Sequence, residues 1–316
     1  MSVFLSKMPL PHRFTWTINK ELRETLFWPC KSGKPKVVLL LIPGNPGVID
    51  LYIEFATALH ERSDDMEIAA ISHLGHTRFS DNNGKVVRNT KVYSLQEQVK
   101  GWIDAFDEVD RMYGGAPKMF LCAHSVGSYI AEKIVESRAD RVDRVFDLFP
   151  TVDHIGDTPN GRKLQALFRP GVRQVVSGLA ELGSWILPNS VMQMLALRSG
   201  SLGAENSAVV IDKMVNGSCI NNVLRMAADE MATIKDVNEK LYGAMGDKFV
   251  MYYGRKDGWV PSDRFKKMCH INYKGNVVMC DKGISHAFVT SHPLETADVV
   301  GEFIRQAVNP KASESF

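Results

Sequence analysis

Cys122-Ala123-His124-Ser125-Val126-Gly127-Ser128-Tyr129, CAHSVGSY, is the stretch on which the reading of the fold turns. Lys118–Cys122 ahead of it reads as a buried strand, and Val126–Ser137 behind it has the apolar spacing of a helix. A serine that leaves a buried strand and opens a helix stands where a nucleophile elbow is required. Such a turn is sharp, so large side chains two residues either side of the serine would collide. Ala123 and Gly127 are both small. Ala123 replaces the first glycine of the pattern G-x-S-x-G, a departure of one methyl group. The Val126 N–H, at the helix start, is a candidate donor to an oxyanion. An ordinary serine between a strand and a helix would use the same residues, so the rest of the chain has to decide.

Working outward, PKVVLLLIPGNPG gives a strand at Val37–Ile42 that is apolar at every position and ends in a Gly/Pro loop. A sheet covered by helices on both faces requires such a strand. Two short β-like runs, Phe14–Ile18 and Leu22–Trp28, precede it, and a strand at Met66–Ser72 runs into the loop HLGHTRFSDNNG. Ser94 and Glu97 have capping-box spacing, and Leu95, Val99, Trp102, Ile103, Phe106 and Val109 follow on one helical face as far as Gly114-Gly115. A strand at Val142–Phe149 follows the helix that Ser125 opens. From Thr151 to Met245 the alternation stops, and helical patterns interrupted by Gly171, Gly178, Gly183, Pro188 and Gly200 take over. Strands resume at Lys248–Tyr253 and Asn276–Cys280, with a last helix over Leu294–Val308 and a frayed tail, PKASESF. The prediction is an α/β fold with a mostly parallel sheet flanked by helices. Its core is 1–150 and 246–316, and 151–245 forms a helical cap insertion.

Composition narrows the function. Lys plus Arg (38) nearly balances Asp plus Glu (36), and no basic run stands out, which argues against a nucleic-acid partner. Five cysteines without CxxC spacing offer neither a disulfide framework nor a zinc cluster, and nothing in the chain asks for a cofactor. MSVFLSKMPLPHRF lacks the apolar core of a secretory signal. No run of about 20 uninterrupted apolar residues is long enough to span a bilayer. These features predict a protein of the reducing, cytosolic side.

An elbow serine needs an acid and a histidine, in that chain order. The carboxylate holds the imidazole in its tautomer, and the imidazole takes the serine proton. Asp257 lies just beyond the strand ending at Tyr253, and His286 lies in the loop after the next strand. Both therefore come to the edge of the sheet where Ser125 sits. Asp147 and Asp153 compete as the acid, the first as a paired core carboxylate by the blander reading and the second as a loop residue. The second oxyanion donor belongs to the loop after the first parallel strand, Pro43-Gly44-Asn45-Pro46-Gly47. Prolines have no N–H, so Asn45 is the leading candidate, with Gly44 and Gly47 behind it. A plain tight turn would use the same residues. His73 and His76 form an HxxH without an acidic ligand set nearby, which favours a loop-structuring role over a metal. His124 flanks the serine in a packing or positioning role, and His292 opens a helix before Pro293.

With LLLIPGNPG, CAHSVGSYI, YYGRKDGWVP and ISHAF in that order, the chain resembles the lipid droplet-associated serine hydrolases of the α/β-hydrolase superfamily. The resemblance covers essentially the whole chain, and the PGNPG loop is its most specific part. It implies the α/β-hydrolase fold, with Ser125 as nucleophile, Asp257 as acid and His286 as base. It also implies a lipid-ester substrate, sterol esters among the candidates, and residence on lipid droplets and the cytosolic face of the endoplasmic reticulum.

The insertion has a membrane-facing look of its own. VRQVVSGLAELGSWILPNSVMQMLAL, Val172–Leu197, is rich in Val, Leu, Ile and Met, with Arg173 and Arg198 at its ends. Pro188-Asn189 divides it into two segments too short to span a bilayer, suited to an interface or a monolayer. The same segment could instead close over the mouth of the active site. Two rival functions stay open at this level: a droplet tethering protein with a weak or vestigial triad, and a thioesterase or small-ester esterase.

Overall fold

The computed structural model describes residues 11–87, 91–198 and 203–309. Strand β3 (Val37–Ile42) is buried at every position, as its unbroken apolar sequence requires. It lies between β4 (Met66–Ile71) and β7 (Lys118–His124), and the sheet continues through β8 (Val142–Leu148), β9 (Phe249–Tyr253) and β10 (Asn276–Met279). From β4 to β10 every pairing is parallel. On the other side β4 carries an antiparallel hairpin, β1 (His12–Ile18) and β2 (Glu21–Trp28). A separate two-stranded ribbon, β5 (Phe79–Ser80) with β6 (Val86–Val87), lies in the stretch read as a loop after β4. Its turn is pinned by Asp81 Oδ1, which accepts from the N–H groups of Asn83 and Lys85.

Apolar clusters fill both faces of the sheet. Helices α2 (Leu95–Tyr113) and α3 (Val126–Arg138) cover one face; α1 (Ile53–His60) and the last helix, Pro293–Val308, cover the other. The capping box read at Ser94 and Glu97 is formed, and α2 stops at Gly114 in the left-handed conformation. Strand β7 runs two residues past the predicted Cys122. Ala123 therefore sits inside the ladder, opposite Ile42 and Asp147.

Between β8 and β9 the chain is helical: α4 (Pro159–Leu164), α5 (Pro170–Ile186), α6 (Asn189–Arg198), α7 (Ala204–Met214), α8 (Gly217–Thr233) and α9 (Glu239–Met245). Here one expectation fails. Gly171, Gly178 and Gly183 do not interrupt the helical pattern; all three lie within α5. Each glycine costs about 1 kcal/mol relative to alanine. Packing along α8 and the helix-forming residues between the glycines outweigh that cost, and the break comes at Pro188, after Leu187. Gly200 and the tail 310–316 lie outside the described residues. The remaining helices are α10 (Ser262–Ile271), α11 (Phe288–Ser291) and α12 (Pro293–Val308).

Candidate active site

Parallel neighbours end at the same edge, so the loops after β3, β7, β9 and β10 converge. Ser125 occupies the turn from β7 into α3 with φ 55° and ψ −121°. For a residue with a side chain this region is strained by roughly 1–3 kcal/mol and persists only where the surroundings enforce it. The Ser125 N–H donates to Leu148 O at 3.0 Å, and its carbonyl accepts from the N–H groups of Ser128 and Thr151. The small residues on either side have separate reasons. A Cβ on Gly127 would lie 2.5 Å from Ile42 O and 3.0 Å from Pro43 O, so α3 packs directly on the backbone at the end of β3. Ala123 is fully buried in the ladder, and the elbow accommodates its methyl group.

His286 Nε2 is 3.0 Å from Ser125 Oγ, and its Nδ1 is 2.7 Å from Asp257 Oδ2. The other carboxylate oxygen of Asp257 accepts from the N–H groups of Trp259 (2.7 Å) and Val260 (3.0 Å). Those two bonds fix the carboxylate, so Nδ1–H has a set acceptor and Nε2 is left with a lone pair toward the serine. Neither competing acid reaches His286. Asp153 is engaged by His154, Lys267 and Arg264. Asp147 is fully buried, and the polar side chain that acts on its carboxyl is Ser128, on the helix that Ser125 opens. Burial, with Glu132 beside it, pushes its carboxyl well above the usual carboxylate range, and no base pairs with it.

The Pro43–Gly47 loop is held from below by the HxxH pair. His73 Nε2–H donates to Pro43 O (3.0 Å), and Trp102 Nε1–H donates to His73 Nδ1 (2.8 Å). His76 Nδ1–H donates to Pro46 O (2.8 Å). Burial, with a lesser push from Arg23, keeps both rings neutral, His76 down to about 4. Arg23 lies over the Trp102 ring at 4.6 Å, so a buried stack braces the loop. Gly47 has φ +75°, and a Cβ there would meet His73 Cδ2 at 2.4 Å. Only glycine fits.

Within this loop the Gly44 N–H donates to Tyr52 Oη at 2.8 Å and is committed. Both protons of the Asn45 side-chain amide are used as well, on Val223 O and Glu230 Oε1, each at 3.0 Å. The backbone N–H groups of Asn45 and Gly47, like that of Val126, make no hydrogen bond among the described residues. Asn45 lines the same cavity as Ser125, with its side chain committed and its main-chain N–H free of partners among the described residues.

His124 links the two sides of the site. Its Nε2 faces the His286 carbonyl (2.9 Å), an acceptor only, so Nε2 carries the proton and Nδ1 accepts from the Tyr52 hydroxyl (2.7 Å). Burial, with His286 adjacent, pushes the His124 imidazole down to about 3. A chain of hydrogen bonds therefore runs from Gly44 through Tyr52 and His124 to the main chain of His286. The sequence placed His124 near the serine but gave no sign of Tyr52 or Trp102, whose roles arise from contacts across 72 and 29 residues.

Ser125 and His286 open into a cavity of about 460 Å³ lined by Leu51, Phe168, Met214, Val223, Met231 and Trp259, with Glu230 as its buried acid. The lining is mostly apolar, suited to an uncharged organic substrate. Away from the cavity, α5 turns Val172, Val175, Leu179, Leu182 and Ile186 outward on one face, and Trp185 beside them is 76% exposed. Among the described residues no helix is long and apolar enough to cross a membrane, and no cluster of three potential metal ligands occurs.

Residues 35–289 match the family model described as Lipid-droplet associated hydrolase. The lipid droplet-associated hydrolase of Rattus norvegicus is 27% identical over 294 residues, 88% of each chain. That of Homo sapiens is 26% identical over 293 residues, 89% of this chain and 88% of the relative. Among solved structures, the haloalkane dehalogenase DatA from Agrobacterium tumefaciens superposes with a TM-score of 0.68 at 15% identity. The match covers 94% of this chain and 97% of that one. The likeness shows the α/β-hydrolase fold. On the length of the family match, the chain belongs to the lipid-droplet associated hydrolase family, hydrolases of the α/β-hydrolase kind.

Proposed function

We propose that the protein is a serine ester hydrolase acting on lipid esters at a lipid surface. The observation that carries this reading is the linked geometry of Ser125, His286 and Asp257, with Oγ to Nε2 at 3.0 Å and Nδ1 to Oδ2 at 2.7 Å, at the mouth of an apolar cavity. Ser125 Oγ adds to the ester carbonyl carbon while its proton passes to His286 Nε2. The carbonyl oxygen, now an anion, is received by the N–H groups of Asn45 and Val126. Collapse breaks the bond to the alcohol, which leaves with the proton from His286. Water, deprotonated by the same imidazole, then adds to the acyl-enzyme and releases the acid and Ser125. None of these steps calls for a cofactor or a metal.

For the surface, the outward row on α5 supports reversible attachment to a lipid monolayer, as on a droplet. A helix of this length lies in an interface and does not cross it. Sterol esters fall within the class that an apolar cavity accepts.

The test is Ser125→Ala in purified protein, with fluorophosphonate labelling and peptide mapping of the wild type. Turnover should fall about 10⁴- to 10⁶-fold, and the label should sit on Ser125. Residual turnover within tenfold of wild type, or a label elsewhere, would refute the assignment.

A further inference from the structure

Glu230 is a carboxyl group that the reaction above does not use, yet it is built into the wall of the cavity. It lies on α8, is 4% exposed, and lines the cavity with Ser125 and His286. Its Oε1 accepts from Asn45 Nδ2, and the Val223 carbonyl, about two helical turns earlier, accepts the other amide proton. Two bonds from one cap helix thus grip the side chain of the residue whose backbone N–H is the proposed oxyanion donor. The second oxygen of Glu230 makes no hydrogen bond among the described residues, and no cation pairs with either.

We infer that Glu230 is a positioning residue: from the cap it holds Asn45, and with it the oxyanion loop, in the working geometry, and it does so as the neutral acid. The inference rests on the serine-hydrolase reading above. Its electrostatic half is the sign of the charge. A carboxylate one side chain away from a developing oxyanion, in a mostly apolar cavity, would raise the energy of the transition state, whereas a neutral acid or an amide would not.

The surroundings keep the acid form at neutral pH. Burial first, then Asp229, push Glu230 up to about 8 against the lowering effect of Asn45. The charged groups around it are few. On α8 itself Asp229 is paired with Arg225. Helix α5, packed along α8, brings Arg173, which interacts with that pair, and Glu181, which is bonded to the Gly217 N–H at the far end of α8. The Gln165–Phe168 turn has no titratable group, and the Ile155–Asp157 turn contributes only Asp157, which is exposed. The start of α2 brings the Leu95 N–H to Asp229 and Glu97 to its own cap. From the cavity side come His286 and neutral His124.

The experiment follows kcat and KM for a short soluble ester from pH 6 to 10 in the full-length protein, for wild type, Glu230→Gln, Glu230→Leu and Glu132→Gln. Glu132 is a second buried carboxyl pushed to about 8, on α3 itself, where it accepts from Tyr242, and serves as the control. Wild type should lose kcat as pH rises through about 8. Glu230→Gln, which still accepts from Asn45, should keep kcat at pH 7 within about threefold and lose the alkaline fall. Glu230→Leu, which cannot accept, should lower kcat roughly 10- to 100-fold with KM within about threefold. Glu132→Gln should keep the fall. An alkaline limb unchanged in Glu230→Gln, or one that vanishes in Glu132→Gln instead, would overturn the inference even if Glu230→Leu failed to fold. Fluorophosphonate labelling of Ser125 in each variant separates the outcomes: absence of the label from wild type sinks the hydrolase reading, whereas labelling with a Glu230-independent pH profile sinks only this one.

Discussion

Helix α5 and the Pro43–Gly47 loop are connected through α8, and they treat water in opposite ways. The loop is mostly buried, and four of its polar groups have fixed partners: the Pro43 carbonyl with His73, the Pro46 carbonyl with His76, the Gly44 N–H with Tyr52 and the Asn45 amide with α8. Helix α5 matches its inner face to α8 and leaves Val175 and Leu179, each 63% exposed, in solvent with Trp185. A loop that must present an N–H within a few tenths of an ångström needs neutral, buried partners, because exposed hydrogen bonds exchange with water. A surface that meets another apolar phase needs only area and reversibility. The two regions should therefore fail differently: the first through kcat, the second through attachment.

The comparison is broken most severely at the acid. In Asp257→Asn the carboxamide can keep one oxygen on the Trp259 and Val260 N–H groups, which turns its NH₂ toward His286 Nδ1. Two donors then face each other. The ring switches tautomer, Nε2 carries the proton, and it can no longer accept from Ser125. Turnover should drop about 10⁴-fold with little loss of stability. Steady-state kinetics on Asp257→Asn and Asp153→Asn decide it, since a near-normal Asp257→Asn beside a dead Asp153→Asn would move the acid to the earlier strand.

A smaller effect is expected at Gly47, whose φ of +75° is matched by Gly33 at +74° in an open turn. Alanine at either site meets the same backbone penalty, about 1 kcal/mol. At Gly47 the methyl also meets His73 at 2.4 Å, so the imidazole must move and Pro43 O loses its donor. Gly47→Ala should cost about 10²-fold in kcat with the larger loss in Tm, and Gly33→Ala less than twofold in kcat with only the backbone penalty in Tm. Equal activities would mean that the buttress has no part in aligning the loop.

What could be read from the sequence and what could not divide along the same line. Ser125, Asp257 and His286 were placed by the rule that parallel strands end together, which needs only strand order. The elbow survived Ala123 because the turn excludes bulk and not a methyl group. Invisible in the sequence were the partners that only packing creates. The Asn45–Glu230 bond spans 185 residues, and no local pattern marks Glu230 as buried. The HxxH looked like a pair because its members are close in sequence; their partners are proline carbonyls about 30 residues away. Glycines misled in α5 because their cost is local, whereas the helix is stabilised by α8, which follows only after α6 and α7.

The smallest effect on chemistry, and the largest on location, belongs to the end of α5. Trp185, Ile186 and Leu187 are exposed at the point where the helix stops before Pro188. Moving a large apolar side chain out of water is worth about 1.5–3 kcal/mol, so three of them supply about 5 kcal/mol toward lipid before ordering costs. Each 1.4 kcal/mol is tenfold, and even half of that sum is well over tenfold in partitioning. Replacing the three with serine should therefore lower binding to phospholipid-coated triacylglycerol droplets at least tenfold in flotation. Hydrolysis of a short soluble ester should stay within about threefold, because none of the three lines the cavity and the residues around Ser125 belong to the sheet and its loops. The two readouts separate the possible roles of the segment. Flotation unchanged would move the attachment to another surface. Flotation unchanged with soluble-ester activity lost would make the end of α5 a structural part of the cap, and the contrast between the two regions would then fail.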